Sequence, residues 1–469
     1  MNADPGSFRD RSNRIYTDDT RVLRGISSEV LECWSELKNQ PFYQKLEASS
    51  EVVGTTLADP AQLPDPWPAA MVHERIPFIS YPYEWTFGML KDAAILHLGL
   101  LEKAFSNNWM LKDASAYNVQ WRGSEPTFID IPSFEPHQAG NAWVGYRQFC
   151  MMFLIPLMLQ AYRGIDYRPL LRSNLDGIDP ATADKILKGF SRLRRGVFSN
   201  VFLHSRMQSR SAKIDLNEAT QLKEGTQREV RVSSRIKHTL AMILGTIQGL
   251  TRTVASLNLP NTSSTWGNYD SSHSYNESSL SAKEAFVRNC VSKTQHSLVW
   301  DLGCNTGNYS LICSQHSDYV VAIDGDASAV EKLYQRVKAS KSKNIIPLVM
   351  DLSNMSPDQG WRGSERRSLE GRGLPSMVVC LALLHHMVIS ANIPLQDYLN
   401  WLRTLNAEVI IEFVGLGDEM SKMLLRNRVN QYGDLTKENF ERCVQSSFEI
   451  VETLPLKGGD RHIYYLRPI

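Results

Sequence analysis

Apolar segments recur through the second half of the chain and predict a doubly wound α/β sheet. They predict five short buried strands, at residues 297–300, 318–324, 344–351, 377–387 and 408–414. Helical patterns follow the first strand from residue 308 and the second over residues 327–339. Two last segments, residues 448–455 and 462–467, predict an antiparallel pair of strands that ends the fold.

The first half mixes helical and extended patterns less regularly. Helical spacing predicts helices at residues 16–46, 85–105, 148–162, 181–195 and 237–250, and short strands are predicted at 51–56 and 71–80. Residues 1–14 are polar and predicted to be disordered, whereas 213–231 are charged and predicted to be a linker. We therefore predict an α+β domain at 15–205, a helical linker at 206–264 and an α/β domain at 265–469.

The first strand of the α/β domain runs into a glycine-containing turn. Residues 299–307 read V-W-D-L-G-C-N-T-G, in which Gly303 and Gly307 allow a close approach to a ligand. The helix that follows presents unpaired N–H groups in its first turn. The second strand ends in Asp324, and an acid at that place can accept hydrogen bonds from both hydroxyls of a ribose. The turn alone fits a dinucleotide, a nucleoside or no ligand.

Taken together, these strands and motifs resemble the class I S-adenosylmethionine (SAM)-dependent methyltransferases over residues 266–469. The resemblance implies that the cofactor is SAM. It implies that the methionine portion of SAM is held by Asp301, Gly303, Asn305 and Gly307. It also implies that Asp324 binds the ribose and that Asp351 and Leu352 lie against the adenine. A Walker A phosphate loop is disfavoured because no Gly-Lys-Ser/Thr sequence ends the turn.

Three residues before the first strand are further candidates for cofactor binding. Trp266 and Tyr275 lie in a polar stretch that could cover the cofactor, since aromatic faces attract a sulfonium. A surface loop with a packed tryptophan is an equal alternative. Lys283, in the next helix, either binds the cofactor carboxylate, pairs with an acid on that stretch or is a solvated charge.

Two histidines at the end of the predicted fourth strand are candidates for catalysis. A hydroxyl acceptor gains from a base, and histidine titrates near neutral pH. We predict that His386 faces the acceptor and that His385 supports the pocket, because neighbours on a strand point to opposite sides. Packing roles for both are the alternative. Glu412 either orients a histidine, binds an acceptor hydroxyl or is the buried partner of a basic residue.

The acceptor is predicted from what the fourth strand lacks. The Asn/Asp-Pro-Pro-Tyr/Phe pattern that methylation of bases and of glutamine commonly uses is absent from it. An adenine or glutamine acceptor is thereby disfavoured and stays open as the alternative. The predicted acceptor is an oxygen of a small molecule or glycan-type metabolite.

Residues 111–134 of the first half resemble the catalytic core of kinase-like phosphotransferases. Asp113, Asn118 and Asp130 have the spacing that in kinases supplies a base and two Mg²⁺ ligands. No glycine-rich loop or strand lysine is found before Met71, and Lys112 replaces the usual His or Arg. We predict a kinase-like domain that no longer transfers phosphate. An ATP-dependent phosphotransferase and a binding scaffold are the alternatives.

The whole arrangement resembles a group of bacterial methyltransferase-like proteins that includes host-specific nodulation proteins. The stretches that carry this resemblance are residues 73–85, 111–134 and 299–307. It implies a SAM-dependent modifying enzyme without fixing the acceptor.

The amino-acid composition limits which partners and which cellular compartment the sequence predicts. The 469 residues carry 51 basic and 50 acidic side chains, so no nucleic-acid or anionic-membrane partner is predicted. Seven dispersed cysteines are typical of reduced thiols in a cytoplasmic protein, and no metal site is predicted. The most apolar run, residues 149–159, is too short to span a bilayer. A small-molecule acceptor is the predicted partner, and the oligomeric state is not specified.

Overall fold

The computed structural model describes residues 1–18, 20–203, 239–260, 277–426, 432–456 and 460–469. The predicted linker at 213–231 and the aromatic stretch with Trp266 and Tyr275 lie outside these residues. Below, the first half means residues 1–260 and the second half residues 277–469. No helix among the described residues combines the length and apolar character needed to cross a membrane.

The first half begins with a five-stranded antiparallel sheet of order β1-β2-β3-β5-β4. Its strands are β1 (Asn2–Ala3), β2 (Asn13–Thr17), β3 (Val22–Ile26), β4 (Thr55–Ala58) and β5 (Ala69–His73). The predictions of a disordered start and of a helix from residue 16 are therefore wrong. Tyr16 and Leu23 are opposite each other on β2 and β3 and are fully buried. Burial in the tertiary structure therefore makes this segment a strand, although the spacing of its apolar residues fits a helix.

The described residues of the first half also form helices and two short antiparallel strand pairs. The helices are α1 (Ser28–Leu37), α2 (Pro41–Ala48), α3 (Phe87–Phe105), α4 (Tyr146–Phe149), α5 (Ile155–Arg163), α6 (Arg168–Ser173), α7 (Pro180–Ile186) and α8 (Leu240–Ser256). The strand pairs are β6 (Trp109–Leu111) with β9 (Phe134–Pro136) and β7 (Val119–Arg122) with β8 (Glu125–Phe128). Helix α3 begins where Thr86 caps it through the N–H of Met89, and it is buried against its neighbours, which include α8.

The second half contains the predicted doubly wound sheet, of order β12-β11-β10-β13-β14-β16-β15. Its strands are β10 (His296–Leu302), β11 (Ser317–Asp324), β12 (Ile345–Val349), β13 (Met377–Cys380), β14 (Glu408–Val414), β15 (Phe448–Pro455) and β16 (Arg461–Pro468). Strands β10 to β14 are parallel, and the last two are antiparallel as predicted. The strand order reverses next to β10, where ligands bind in open α/β sheets.

In the part of the second half that the structure describes, six helices flank this sheet: α9 (Glu277–Val291), α10 (Asn308–Cys313), α11 (Ala327–Ser340), α12 (Leu395–Thr404), α13 (Glu419–Leu425) and α14 (Lys437–Gln445). Helix α11 also contacts the first half. The ring of Tyr334 lies edge-on to that of Trp121, with centroids 5.7 Å apart, and its hydroxyl donates to Asp92 over 2.5 Å. One hydrophobic cluster contains core residues of both halves. The two halves are therefore packed against each other.

Candidate functional site

The glycine turn after β10 has the backbone conformation that its sequence predicts. Gly303, Asn305 and Gly307 all have positive φ, at 75°, 48° and 83°. A Cβ on Gly307 would lie 2.2 Å from Leu333 Cδ1, so only glycine fits there. The N–H groups of Gly303 and Cys304 donate to the carbonyl of Ile323 and hold the turn against the end of β11.

Asn305 forms a main-chain hydrogen bond within this turn, but its side-chain oxygen has no described donor. Its main-chain N–H donates to Asp324 Oδ2 over 2.9 Å. Its side-chain oxygen, Oδ1, is buried and has no hydrogen-bond donor in the part of the chain that the structure describes. Burying an acceptor without a donor costs about 1–3 kcal/mol. Oδ1 is therefore suited to accept a hydrogen bond from an amino group of a ligand.

Asp324 ends β11, as predicted. Besides the bond from Asn305, its Oδ1 accepts from the N–H of Asp326 over 2.7 Å. Burial raises the pKa of Asp324 above its ordinary value. The two carboxylate oxygens together have four lone pairs, so the group keeps acceptor capacity for a ligand. The carboxylate also fixes the turn, a role that the sequence did not suggest.

Asp301 lies near the carboxyl end of β10 and is only 2% exposed. Ser310 Oγ, on α10, donates to its Oδ2 over 2.5 Å, so the residue ties β10 to the helix after the turn. Burial raises the pKa of Asp301 to about 7. A contact with the methionine portion of a cofactor stays a prediction.

Asp351 and Leu352 follow β12 and form the next corner of the same edge. Asp351 is exposed, and its Oδ1 accepts from the N–H and the hydroxyl of Ser353, over 2.8 and 2.7 Å. These bonds cap the 3-10 turn Leu352–Asn354, in which Leu352 is buried. The edge of the sheet thus carries Asn305, Asp324 and Asp351 at the ends of three adjacent strands.

Lys283 belongs to a buried ionic network. Its Nζ lies 2.6 Å from Glu412 Oε2, and the two side chains are 3% and 0% exposed. Arg461 Nη1 approaches the other oxygen of Glu412 at 3.4 Å, and its Nε donates to Asp418 Oδ2 over 2.7 Å. Lys283 is thus no solvated charge, and Glu412 is a buried acid with basic partners. Arg461 was missed because it meets Glu412 only through the pairing of β14 with β16, and Asp418, the N-cap of α13, was missed because it meets Arg461 only in the folded chain.

The predicted strand geometry of His385 and His386 is wrong. Strand β13 ends at Cys380, Ala382 has a φ of 51°, and a π-helical turn, His386–Ser390, begins at the second histidine. The two rings therefore do not point to opposite faces of a sheet. Their centroids are 4.3 Å apart.

The two histidines differ in exposure. His385 is fully buried, with both ring nitrogens unpaired among the described residues, and burial holds its pKa well below 6.5. His386 is half-buried, and burial followed by the charge of Arg461 lowers its pKa. Both imidazoles are therefore neutral at neutral pH, the state that a general base requires.

A second polar cluster lies in the first half. Asn118 Nδ2 donates to Asp130 Oδ2 over 3.4 Å, and Arg24 Nη1 donates to Oδ1 over 2.6 Å. Burial, followed by the negative charge of Asp130, raises the pKa of Asp113. Arg24 is buried on β3, so a strand does supply a basic residue to this cluster. Sequence reasoning missed it because residues 16–46 were predicted to be helical.

The sequence is similar to a known protein over nearly its whole length. The sequence is 31% identical over 467 residues to the nodulation protein NoeA of Rhizobium meliloti (strain 1021), covering 98% of this chain and 94% of the relative. No family model matches the sequence.

Solved structures are similar over part of the chain. The N-methyltransferase NodS from Bradyrhizobium japonicum WM9 is 12% identical, with a TM-score of 0.30 over 41% of this chain and 98% of that one. Magnesium protoporphyrin IX methyltransferase (ChlM) from Synechocystis PCC 6803, solved with bound SAM, is 16% identical, with a TM-score of 0.28 over 44% of this chain and 86% of that one. Because the likeness to NoeA extends over nearly all of both sequences, this chain belongs to the family of the nodulation protein NoeA.

Proposed function

We propose that this protein is a SAM-dependent methyltransferase whose cofactor binds at the ends of β10, β11 and β12. The observation that carries the proposal is the buried, unpaired Oδ1 of Asn305, placed between two positive-φ glycines and beside Asp324. An amino group of the methionine portion satisfies this oxygen. The free lone pairs of Asp324 accept hydrogen bonds from the ribose hydroxyls.

The other contacts follow the same edge of the sheet. Leu352 packs against the adenine, and the second carboxylate oxygen of Asp351 accepts from its exocyclic amine. Asp301 stabilises the turn by accepting a hydrogen bond from Ser310, in the helix that follows the turn. Trp266 and Tyr275, the sequence candidates for covering the cofactor, lie outside the described residues. When bound, the cofactor supplies an electrophilic methyl group on a sulfonium.

The acceptor is proposed to be an oxygen of a small molecule or glycan-type metabolite. His386 removes the proton from the acceptor hydroxyl, because burial and the charge of Arg461 lower its pKa and keep it neutral. His385 packs directly against His386 and supports its ring. Glu412 is a positioning residue, since it holds Lys283 and Arg461 beside the histidines.

The first half is proposed to be a kinase-like scaffold that does not transfer phosphate. Both oxygens of Asp130, the residue that the kinase resemblance assigns to Mg²⁺, already accept hydrogen bonds, one from the buried cation of Arg24. A cation bound in this way opposes the binding of a second one. The alternative of an active phosphotransferase requires Arg24 to leave Asp130.

Calorimetric titration tests the proposal without knowledge of the acceptor. SAM, S-adenosylhomocysteine and Mg-ATP are titrated in parallel into the full-length protein. We expect saturable binding of the first two at one site per chain. Failure of both to bind would contradict the methyltransferase assignment, and binding of Mg-ATP alone would favour the phosphotransferase.

A further inference from the structure

The segment between β12 and β13 is anchored on the first half of the chain. We call residues 352–372 the connecting segment. It begins at Leu352, directly after Asp351, and therefore at the corner where the proposed function places the adenine. Its polar composition, with five basic or aromatic side chains, is typical of a solvated loop. Three groups of contacts instead attach it to residues of the first half.

The first contact is made by Arg172, in α6. Its Nη1 donates to the carbonyl of Asn354 over 3.0 Å, and its Nη2 donates to that of Met355 over 2.7 Å. In return, Gln359 Nε2 donates to the carbonyl of Arg172 over 2.9 Å. One guanidinium thus holds two successive carbonyls, which a single ammonium cannot do in the same planar geometry.

The second contact is a buried ion pair at the other end of the segment. Arg372 Nη1 and Nη2 donate to the two oxygens of Glu84 over 2.8 and 2.7 Å, and each side chain is 1% exposed. Ser356 Oγ donates to the same carboxylate over 2.6 Å. The charge of Arg372 is therefore paired within the protein, and Glu84 fixes the segment at two places.

The third contact lies in the middle of the segment. Arg9 Nη2 lies 2.7 Å from Glu365 Oε1, and Tyr81 Oη accepts from the N–H of Arg367 over 2.8 Å. A Cβ on Gly6 would lie 2.6 Å from the carbonyl oxygen of Glu365, so the loop between β1 and β2 approaches the segment closely. The connecting segment is thus held along its whole length.

The contact of Arg172 lies nearest to the proposed adenine site. In the 3-10 turn Leu352–Asn354, the N–H of Asn354 donates a hydrogen bond of 3.0 Å to the carbonyl of Asp351. Arg172 holds the carbonyl of Asn354 on the exit side of the same turn. The turn is therefore fixed on one side by Ser353 bonded to Asp351, and on the other by a residue of the first half.

We propose that Arg172 positions the adenine-binding turn, so that the first half of the chain completes the cofactor site of the second. The proposal rests on the proposed function, because it takes the adenine to lie against Asp351 and Leu352. Arg172 acts through the turn and is a positioning residue without contact to the cofactor. Removal of its guanidinium frees the carbonyls of Asn354 and Met355 and lets the turn change its orientation towards the base.

The test compares two ligands and three proteins by calorimetry. The ligands are S-adenosylhomocysteine and S-inosylhomocysteine, which has an oxygen in place of the 6-amino group. The proteins are the wild type, Arg172→Ala and the control Arg75→Ala. Arg75 is an exposed arginine that likewise donates to a main-chain carbonyl, that of Asp18, but within the first half alone.

We expect Arg172→Ala to bind S-adenosylhomocysteine roughly threefold to thirtyfold more weakly, and to lose preference for the adenine ligand. Arg172→Lys should fall between it and the wild type, and Arg75→Ala should match the wild type. A variant that is only less stable would weaken both ligands by the same factor.

Two results would overturn the proposal, and they are distinguishable. If the wild type binds S-adenosylhomocysteine and Arg172→Ala keeps both its affinity and its preference for adenine, Arg172 does not position the turn, whereas the proposed function stands. If the wild type binds neither ligand, the proposed function fails and this inference fails with it.

Discussion

The main-chain N–H of Asn305 donates a hydrogen bond of 2.9 Å to the carboxylate of Asp324, and so joins the ends of β10 and β11. The bond places the residue proposed for the ribose in direct contact with the turn proposed for the methionine portion. Asp324 therefore shapes the turn, and we propose that the same carboxylate also accepts hydrogen bonds from a ligand.

Asp324→Ala should weaken the binding of S-adenosylhomocysteine more than tenfold. The variant loses charge-assisted hydrogen bonds to the ribose, each worth about 1.5–3 kcal/mol, and also leaves the N–H of Asn305 unpaired. Asp318→Ala, an exposed acid near the start of the same strand, is the matched control and should bind normally. A folded Asp324→Ala protein with unchanged affinity would contradict the ribose assignment.

His386→Ala should lower turnover by roughly 10²-fold while the affinity for SAM stays near that of the wild type. Burial and Arg461 lower the pKa of His386, so its neutral form, the base, prevails at neutral pH. Activity should therefore fall as the pH drops through a value below 6.5, and this acid limb should be absent from the variant. His316→Ala, in the turn between α10 and β11, is the control. The measurement needs an acceptor, which product analysis on candidate metabolites must first supply. Full turnover in His386→Ala would mean that alignment alone supports the transfer.

Lys283→Met should reduce the free energy of unfolding by about 3 kcal/mol, because it leaves the buried Glu412 with Arg461 as its one described cation. Lys293→Met is the control, because Lys293 and Glu452 are also 2.6 Å apart but are 36% and 38% exposed. Its effect should be under about 1 kcal/mol. Urea denaturation of the three proteins measures both values. Equal effects of the two substitutions would show that burial does not matter to the Lys283 pair.

The first half should not turn over Mg-ATP, because Arg24 and Asn118 already donate to Asp130. A coupled assay for ADP release on the full-length protein measures this. Turnover that depends on Mg²⁺ and disappears in Asp130→Ala would contradict the prediction and promote the phosphotransferase alternative.

The parallel sheet was largely predictable, since its strands are short apolar runs that each end in a recognisable residue. The fifth strand, Glu408–Val414, has the predicted bounds, and Asp324 ends β11 as expected. The fourth strand was predicted seven residues too long at its carboxyl end, because the apolar residues after Cys380 are buried in a turn and not in a strand. Apolarity reports burial but not backbone geometry.

The contacts between distant parts of the chain were not predictable from spacing. Val22, Leu23 and Ile26 fit helical spacing, yet pairing with β2 and β5 makes them a strand and places Arg24 beside Asp130. Arg172 and Asn354 are 182 positions apart, and nothing in either local sequence indicates that they meet. Such pairings depend on the packing of elements that are far apart in the sequence.

A crystal structure of the full-length protein with S-adenosylhomocysteine tests the central claim most directly. We expect the amino group of the homocysteine portion to lie within hydrogen-bond distance of Asn305 Oδ1, with the ribose hydroxyls at Asp324 and the adenine between Asp351 and Leu352. Ligand bound elsewhere, with Asn305 Oδ1 still lacking a donor, would contradict it.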